Sequence, residues 1–108
     1  ITIYGSGSQI RSNTHISDVA RATLLAANSP ARQLTVDICG SESVTLMEAV
    51  REIETIIGKK AKIIWGSRTL GDQRVTTGDL NVARECLGWV PKISFKDGIR
   101  EQVESTLG

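Results

Sequence analysis

The residues in this chain best suited to chemistry are arginines. Arg11 follows the turn-like run Gly5-Ser6-Gly7-Ser8, and Arg68 and Arg74 flank Gly71-Asp72 inside a stretch from Gly66 to Gly78 that has no helical period. A guanidinium is planar and permanently charged, so it can grip two oxygens of a phosphate at once. A strand position just beyond a tight turn gives Arg11 a rigid mount for that grip. The plain competing reading is a solvated surface arginine. The Gly66 to Gly78 stretch reads as a long loop or edge segment, where binding residues gather, which makes Arg68, Asp72 and Arg74 candidates together.

Two glycines one residue apart, after the apolar run Ile1 to Tyr4, also resemble the opening of a phosphate loop. A dinucleotide loop needs a strand, then Gly-x-Gly-x-x-Gly, then a helix whose first amide groups meet the pyrophosphate. Ile10 stands where the third glycine belongs, and the residues that follow favour extended backbone. The glycines therefore read as turn residues joining two strands, most simply as a hairpin.

Other chemistries have less support. The only histidine, His15, has no carboxylate or nucleophile assignable to it, so its role is read as structural. Cys39 and Cys86 lie far apart with no metal-binding or disulfide spacing, which points to no metal site and fits a reducing, cytoplasmic setting. Both are read as small apolar residues. A net charge of +1, with acidic and basic residues interspersed, offers no basic stripe for nucleic acid. No apolar run approaches membrane-spanning length. The chain opens directly in a strand without an initiator methionine, as a piece of something longer would.

The elements that must position these residues follow from pattern and punctuation. Strands are expected at Ile1 to Tyr4, Gln9 to Ile16, Gln33 to Cys39 and Ala61 to Trp65. The third of these alternates Leu34, Val36 and Ile38 with Thr35 and Asp37, the mark of a half-buried strand. Helices are expected from Asp18 to Asn28 with Ser17 as cap and Asp18 serving the helix dipole, and from Thr45, whose Thr45-x-x-Glu48 is a capping box, to Gly58. A short helix capped by Asp79 runs to Gly88, and a last one opens at Ser94-x-x-Asp97. Trp89 and Trp65 are both read as packing residues. With 108 residues and 40% hydrophobic content, a single domain with a modest core is expected, marginal alone or reliant on a partner.

In order, "IYGSGSQIRSNTHISDVARA", "LTVDICGSESVTLMEAVREIETIIGK" and "GDQRVTTGDLNVARECLGWVPKISFKDGI" cover almost the whole chain. They resemble the C-terminal region of the extended short-chain dehydrogenases/reductases, in the NAD-dependent epimerase/dehydratase group that acts on nucleotide sugars, UDP-glucose 4-epimerase among them. The last run is the most specific, because Gly71-Asp72, Asp79, Ala83, Leu87-Gly88-Trp89, Pro91 and Gly98 keep the family's order and spacing.

The resemblance implies an α/β lobe of the α+β kind, a small mixed sheet of short strands packed with about four helices. It implies that the lobe closes over a nucleotide diphosphate sugar in a two-part enzyme, whose Rossmann domain holds NAD and whose Tyr-x-x-x-Lys pair does the chemistry. Neither piece is present: the sole tyrosine, Tyr4, has Ser8 where that lysine would stand. The chain is thus expected to carry no catalytic residue and no cofactor of its own, with NAD belonging to the full-length parent. Carried over residue by residue, Arg11 would bind the diphosphate, Arg68 a phosphate and Asp72 a ribose hydroxyl. Arg68-Thr69-Leu70-Gly71-Asp72 is one residue longer than the family's Arg-x-Gly-Asp, and Arg74 is a substitute on the same segment. The alternative is a self-associating structural or interaction module that keeps the lobe's fold without the missing Rossmann domain.

Overall fold

The computed structural model describes residues 1–108 in full. The element order is β1 (Thr2–Tyr4), β2 (Ile10–Arg11), α1 (Ile16–Ala27), β3 (Val44–Thr45), α2 (Leu46–Ile57), β4 (Ile64–Gly66), β5 (Val75–Thr76), α3 (Asn81–Leu87) and α4 (Phe95–Leu107). These make a two-stranded parallel sheet, β1-β4, and a three-stranded mixed sheet in the order β3-β2-β5. Helix α2 packs on α4, and α1 packs on α3. The α/β lobe with a small mixed sheet and four helices is therefore what forms.

β1 and β2 do not form the expected hairpin. β1 pairs in parallel with β4, Ile3 opposite Trp65, while β2 pairs antiparallel with β3 and parallel with β5. The turn between them is held by α2 instead: the amides of Met47 and Leu46 donate to the carbonyls of Gly7 and Gln9 at 3.1 and 3.0 Å. Gly7 has φ +76°, and a methyl group there would meet the Met47 side chain at 2.5 Å, so only glycine fits. The carbonyls of this turn face a helix N-terminus, the reverse of a loop that offers amides to a pyrophosphate. These residues do not fit the dinucleotide that such a loop would hold.

The helix ends follow the capping rules with two departures. Thr45 and Glu48 form the reciprocal box, with the Glu48 carboxylate also taking the Thr45 amide at 2.7 Å, and Gly58 closes α2 at φ +73°. Those Thr45 hydrogen bonds hold the Glu48 carboxyl below its ordinary range. Ser94 caps α4 by accepting from the Asp97 amide, and Glu42 takes the Phe95 amide at 2.6 Å. At α1 the cap is His15, not Ser17, because the His15 ring reaches the Ser17 amide. At α3 the N-cap is Leu80 without a side-chain cap, and Asp79, two residues before the helix, accepts from the Asn81 amide at 2.9 Å instead of capping it.

The core sits where α1, α3 and the residues after α3 meet. Trp89 is fully buried against Ala22 and Ala83, with Leu25, Val36, Ile38, Leu80 and Leu87 around it. Its backbone amide donates to the Ala83 carbonyl across Gly88, closing α3, and its indole N–H donates to the Asp18 carbonyl at 3.0 Å. The Asp18 side chain is buried beside it and accepts from the amides of Lys92 and Ile93, each at 3.0 Å, and from Arg21 at 2.8 Å. Burial pushes the Asp18 carboxyl up, but the Ile93, Arg21 and Lys92 hydrogen bonds and the Arg21 charge outweigh it and hold it below its ordinary value. Asp18 is thus a joint between α1 and the chain before α4, more than a dipole partner.

Three expectations of burial or pairing fail. Trp65 is exposed, and so is Cys86 on α3. Gln33 to Cys39 forms no strand ladder, although Val36 and Ile38 do face the core. The molecule is thin as well, 50 × 36 × 16 Å with a radius of gyration of 16.3 Å, against about 13 Å for a compact domain of this length. Its accessible surface of 7692 Å² exceeds by about 1,800 Å² what its mass predicts, about twice what one partner contributes to a standard protein interface.

Candidate functional site

The pairing of β2 with β5 builds the site. It sets Arg11 opposite Thr76, with the Ile10 amide donating to the Arg74 carbonyl at 2.8 Å, so the loop that leads into β5 runs beside Arg11. Gly71, at φ +84°, and a turn from Thr69 to Asp72 bend that loop so that Asp72 points back toward β2. Arg11 Nη2 then donates to Asp72 Oδ1 at 3.0 Å, and Arg11 Nη1 to the Ile10 carbonyl at 2.8 Å. Arg68 Nη2 donates to the Asp72 carbonyl oxygen at 2.9 Å. Asp72 is the hub, holding one arginine by its carboxylate and the other by its backbone. The extra residue between Arg68 and Gly71 is absorbed in the turn, which still brings Arg68 to Asp72.

Beside this hub is a cavity of about 330 Å³, whose wall includes Tyr4, Ser6, Gln9, Arg68, Asp72 and Arg74. That volume is at the small end of ligand pockets. Of the residues expected to bind, Arg68, Asp72 and Arg74 line it, whereas Arg11 reaches it only through Asp72. Arg74 makes no ion pair. Three guanidinium groups around one carboxylate leave a net positive locality open to solvent, with the Arg11 and Asp72 side chains 35% and 30% exposed. Such a locality suits an anion with several oxygens. Tyr4, Ser6, Ser8 and Gln9 were not among the expected site residues, since Gly5 to Ser8 reads as a turn and Tyr4 and Gln9 as the strand ends beside it. The signal was the turn's glycines, since a turn at positive φ lets a loop from elsewhere lie close by.

His15 stays apart from this cluster. Its Nδ1 is 2.7 Å from Ser17 Oγ, and its Nε2 is 3.3 Å from Glu101 Oε2, a carboxylate brought by α4 that sequence spacing did not reveal. With Nδ1 accepting from the Ser17 amide as the α1 cap, the Nε2–H is the proton that faces Glu101. The Glu101 contact ties α4 to the start of α1. No group of three or more His, Cys, Asp or Glu side chains is placed to hold a metal, and no helix is long and apolar enough to cross a membrane.

No family model matches the chain. The UDP-glucuronate 4-epimerase of Thermodesulfobacterium geofontis is 33% identical over 95% of this chain and 32% of its own length. Among solved structures, MoeE5 in complex with UDP-glucuronic acid and NAD matches at a TM-score of 0.94 and 33% identity, over 99% of this chain and 36% of that one. The chain is similar over its whole length to one third of the extended short-chain dehydrogenases/reductases. Within that family it matches the C-terminal lobe of the NAD-dependent epimerases and dehydratases. A UDP-glucose 4-epimerase from Thermotoga maritima, solved with UDP-glucose, agrees at a TM-score of 0.90 and 29% identity over 100% of the lobe. The lobe spans about a third of the length of the curated relatives it matches. NAD is present in full-length neighbours of the lobe, and those neighbours bind UDP-sugars.

Proposed function

We propose that this chain is the nucleotide-sugar-binding lobe of an NAD-dependent sugar epimerase or dehydratase, one domain of a larger two-domain protein, with no reaction of its own. The observation that carries the reading is the convergence of Arg11, Asp72 and Arg68 beside a cavity that Arg74 also lines. A diphosphate supplies the oxygens these guanidinium groups would grip, and Asp72 is an acceptor for a ribose hydroxyl. On this reading NAD and the catalytic groups belong to the two-thirds of the relatives that the lobe does not span. The turn at Gly5 to Gln9 agrees, because its carbonyls are committed to α2.

Affinity in isolation is expected to be weak, since one lobe supplies only part of the contacts. An NMR titration with UDP, UDP-glucose and dTDP tests the reading. Amide shifts confined to the surroundings of Arg11 and to Arg68 through Arg74, lost in Arg11→Ala, are the expected result. No shift at millimolar ligand, with the protein folded, overturns the reading for the isolated lobe.

One observation favours a second reading. Ile1, Tyr4, Ile64 and Trp65 on the β1-β4 sheet are all exposed, and Leu70 is 99% exposed. A self-associating module would cover such a surface with copies of itself. Light scattering separates the two: a monomer that binds UDP supports the lobe, and a stable oligomer blind to nucleotide supports the module.

A further inference from the structure

A second cavity, of about 390 Å³, lies between the link from β2 to α1 and one face of α4, and no residue lines both it and the cavity beside Asp72. Gly98, Glu101, Gln102 and Ser105 fall on successive turns of α4 and face into it together. The His15 ring lies against Gly98, where an added methyl would meet its Cδ2 at 3.2 Å, so the glycine sets how closely the link approaches the helix. The volume is that of a pocket for a small molecule.

Its chemistry is the reverse of the arginine hub. No lysine or arginine lines it, and its one carboxylate, Glu101, stands 3.3 Å from His15 Nε2. A phosphate or carboxylate ligand would find no guanidinium there and a negative charge instead. What the wall offers is uncharged: the side chains of Asn13, Thr14 and Gln102 take part in no hydrogen bond within the chain, Gln102 contributing only its backbone carbonyl to Ser105 and Thr106. Two amides and a hydroxyl set donors and acceptors side by side. Phe95, Ile99 and the exposed Ile16 add apolar surface. Hydroxyl groups on neighbouring carbons need both donors and acceptors, and the C–H face of the same ring needs apolar contact. A protonated amine would meet Glu101 but leave the Asn13 and Gln102 N–H groups without an acceptor.

We propose that this cavity binds an uncharged pyranose, a free sugar or a simple glycoside, with the Asn13 and Gln102 amides and the Thr14 hydroxyl on its hydroxyl groups and Phe95 and Ile99 against its C–H face. Glu101 Oε2 is the oxygen beside His15, which leaves Oε1 to accept from a further hydroxyl. The site is separate from the diphosphate grip, since a nucleoside diphosphate has oxygens for Arg68 and Arg74 and meets no cation here. The proposal does not depend on the nucleotide-sugar reading, because the two sites share no residue.

The test is an NMR titration of the chain with glucose, galactose and methyl glucoside, carried to tens of millimolar because one small, half-open cavity holds its ligand weakly. With at least one of these sugars, the amides of Asn13 to Ile16 and Gly98 to Gln102 and the Gln102 side-chain amide should shift to saturation, leaving Arg68 to Arg74 unmoved. UDP should do the reverse. Gln102→Ala should weaken the sugar by about fivefold, as the loss of one or two hydrogen bonds does. Thr14→Val, which keeps the shape of the side chain, should weaken it by about threefold and decides the matter if the first variant does not fold. The proposal is overturned if no sugar gives a saturable shift at these amides in the folded chain, if sugar acts at Arg68 to Arg74 instead, or if affinity is unchanged in the folded variants. Shifts caused by ethylammonium and by no sugar also overturn it, because the ligand is then a cation held by Glu101. A chain that takes a sugar here and ignores UDP keeps this site and sinks the nucleotide reading, so the two fail separately.

Discussion

Two carboxylates in this chain are set among arginines and main-chain groups, and they end in opposite states. Asp18 is buried, with Arg21 and the amides of Lys92 and Ile93 satisfying it, and Trp89 roofs the arrangement. Asp72 has Arg11 on one oxygen, Arg68 on its carbonyl, and a cavity at its side. The first is a closed joint, whose groups have no better partner available. The second is an open one, whose charges are partly solvated and free to exchange partners with a ligand. Burial, more than residue type, separates a structural carboxylate–arginine pair from one suited to binding.

The largest effect expected is on the closed joint. Trp89→Ala removes the centre of a small core and should cost about 3–5 kcal/mol, read from urea unfolding, enough to unfold the isolated chain or nearly so. A loss under about 1 kcal/mol would break the comparison at its stronger end.

Asp18→Ala comes next, at about 3 kcal/mol, because it leaves the Lys92 and Ile93 amides and the Arg21 charge without their acceptor. The same joint sets a pH dependence. The folded Asp18 carboxyl lies below its ordinary value of 3.8, so its stabilisation is complete above that value and disappears as pH falls through the lowered one. Urea midpoints measured across the acid range should flatten in Asp18→Asn. Asp72→Asn, at the open joint, should shift stability by less than about 1 kcal/mol.

Arg11→Ala sharpens the contrast from the other side. Losing one charge-assisted grip should weaken UDP binding by about tenfold, with stability changed by less than about 1 kcal/mol. Isothermal titration and urea unfolding on the same sample read both; unchanged affinity with a large stability loss would make Arg11 a second closed joint. The smallest effect is a control outside both regions. Thr45→Ala removes the α2 cap and should cost about 1 kcal/mol without touching UDP affinity.

Local chemistry made much of this legible in the sequence. The capping box at Thr45 and Glu48, the Ser94 cap and the positive-φ glycines Gly58 and Gly88 all rest on contacts within a few residues, and the expectations there match the structure. The arginines and Asp72 were visible as candidates, but their convergence was not, because Arg11 and Asp72 meet only after β2 pairs with β5 across the chain. The His15 cap was missed in favour of Ser17, since a histidine ring as acceptor is rarer than a hydroxyl.

The missed hairpin and the missing ladder at Gln33 to Cys39 share a cause. Alternation states which side chains seek a core, and Val36 and Ile38 did find one, but it does not say which strand lies alongside. By itself, then, the sequence determined both ends of α2, the start of α4, the end of α3 and the residues chemically able to hold an anion, all set by interactions of short range. The tertiary structure decided which strands pair, which carboxylate is sealed and which is open, and where the molecule is left thin, because those depend on contacts between residues distant in the chain.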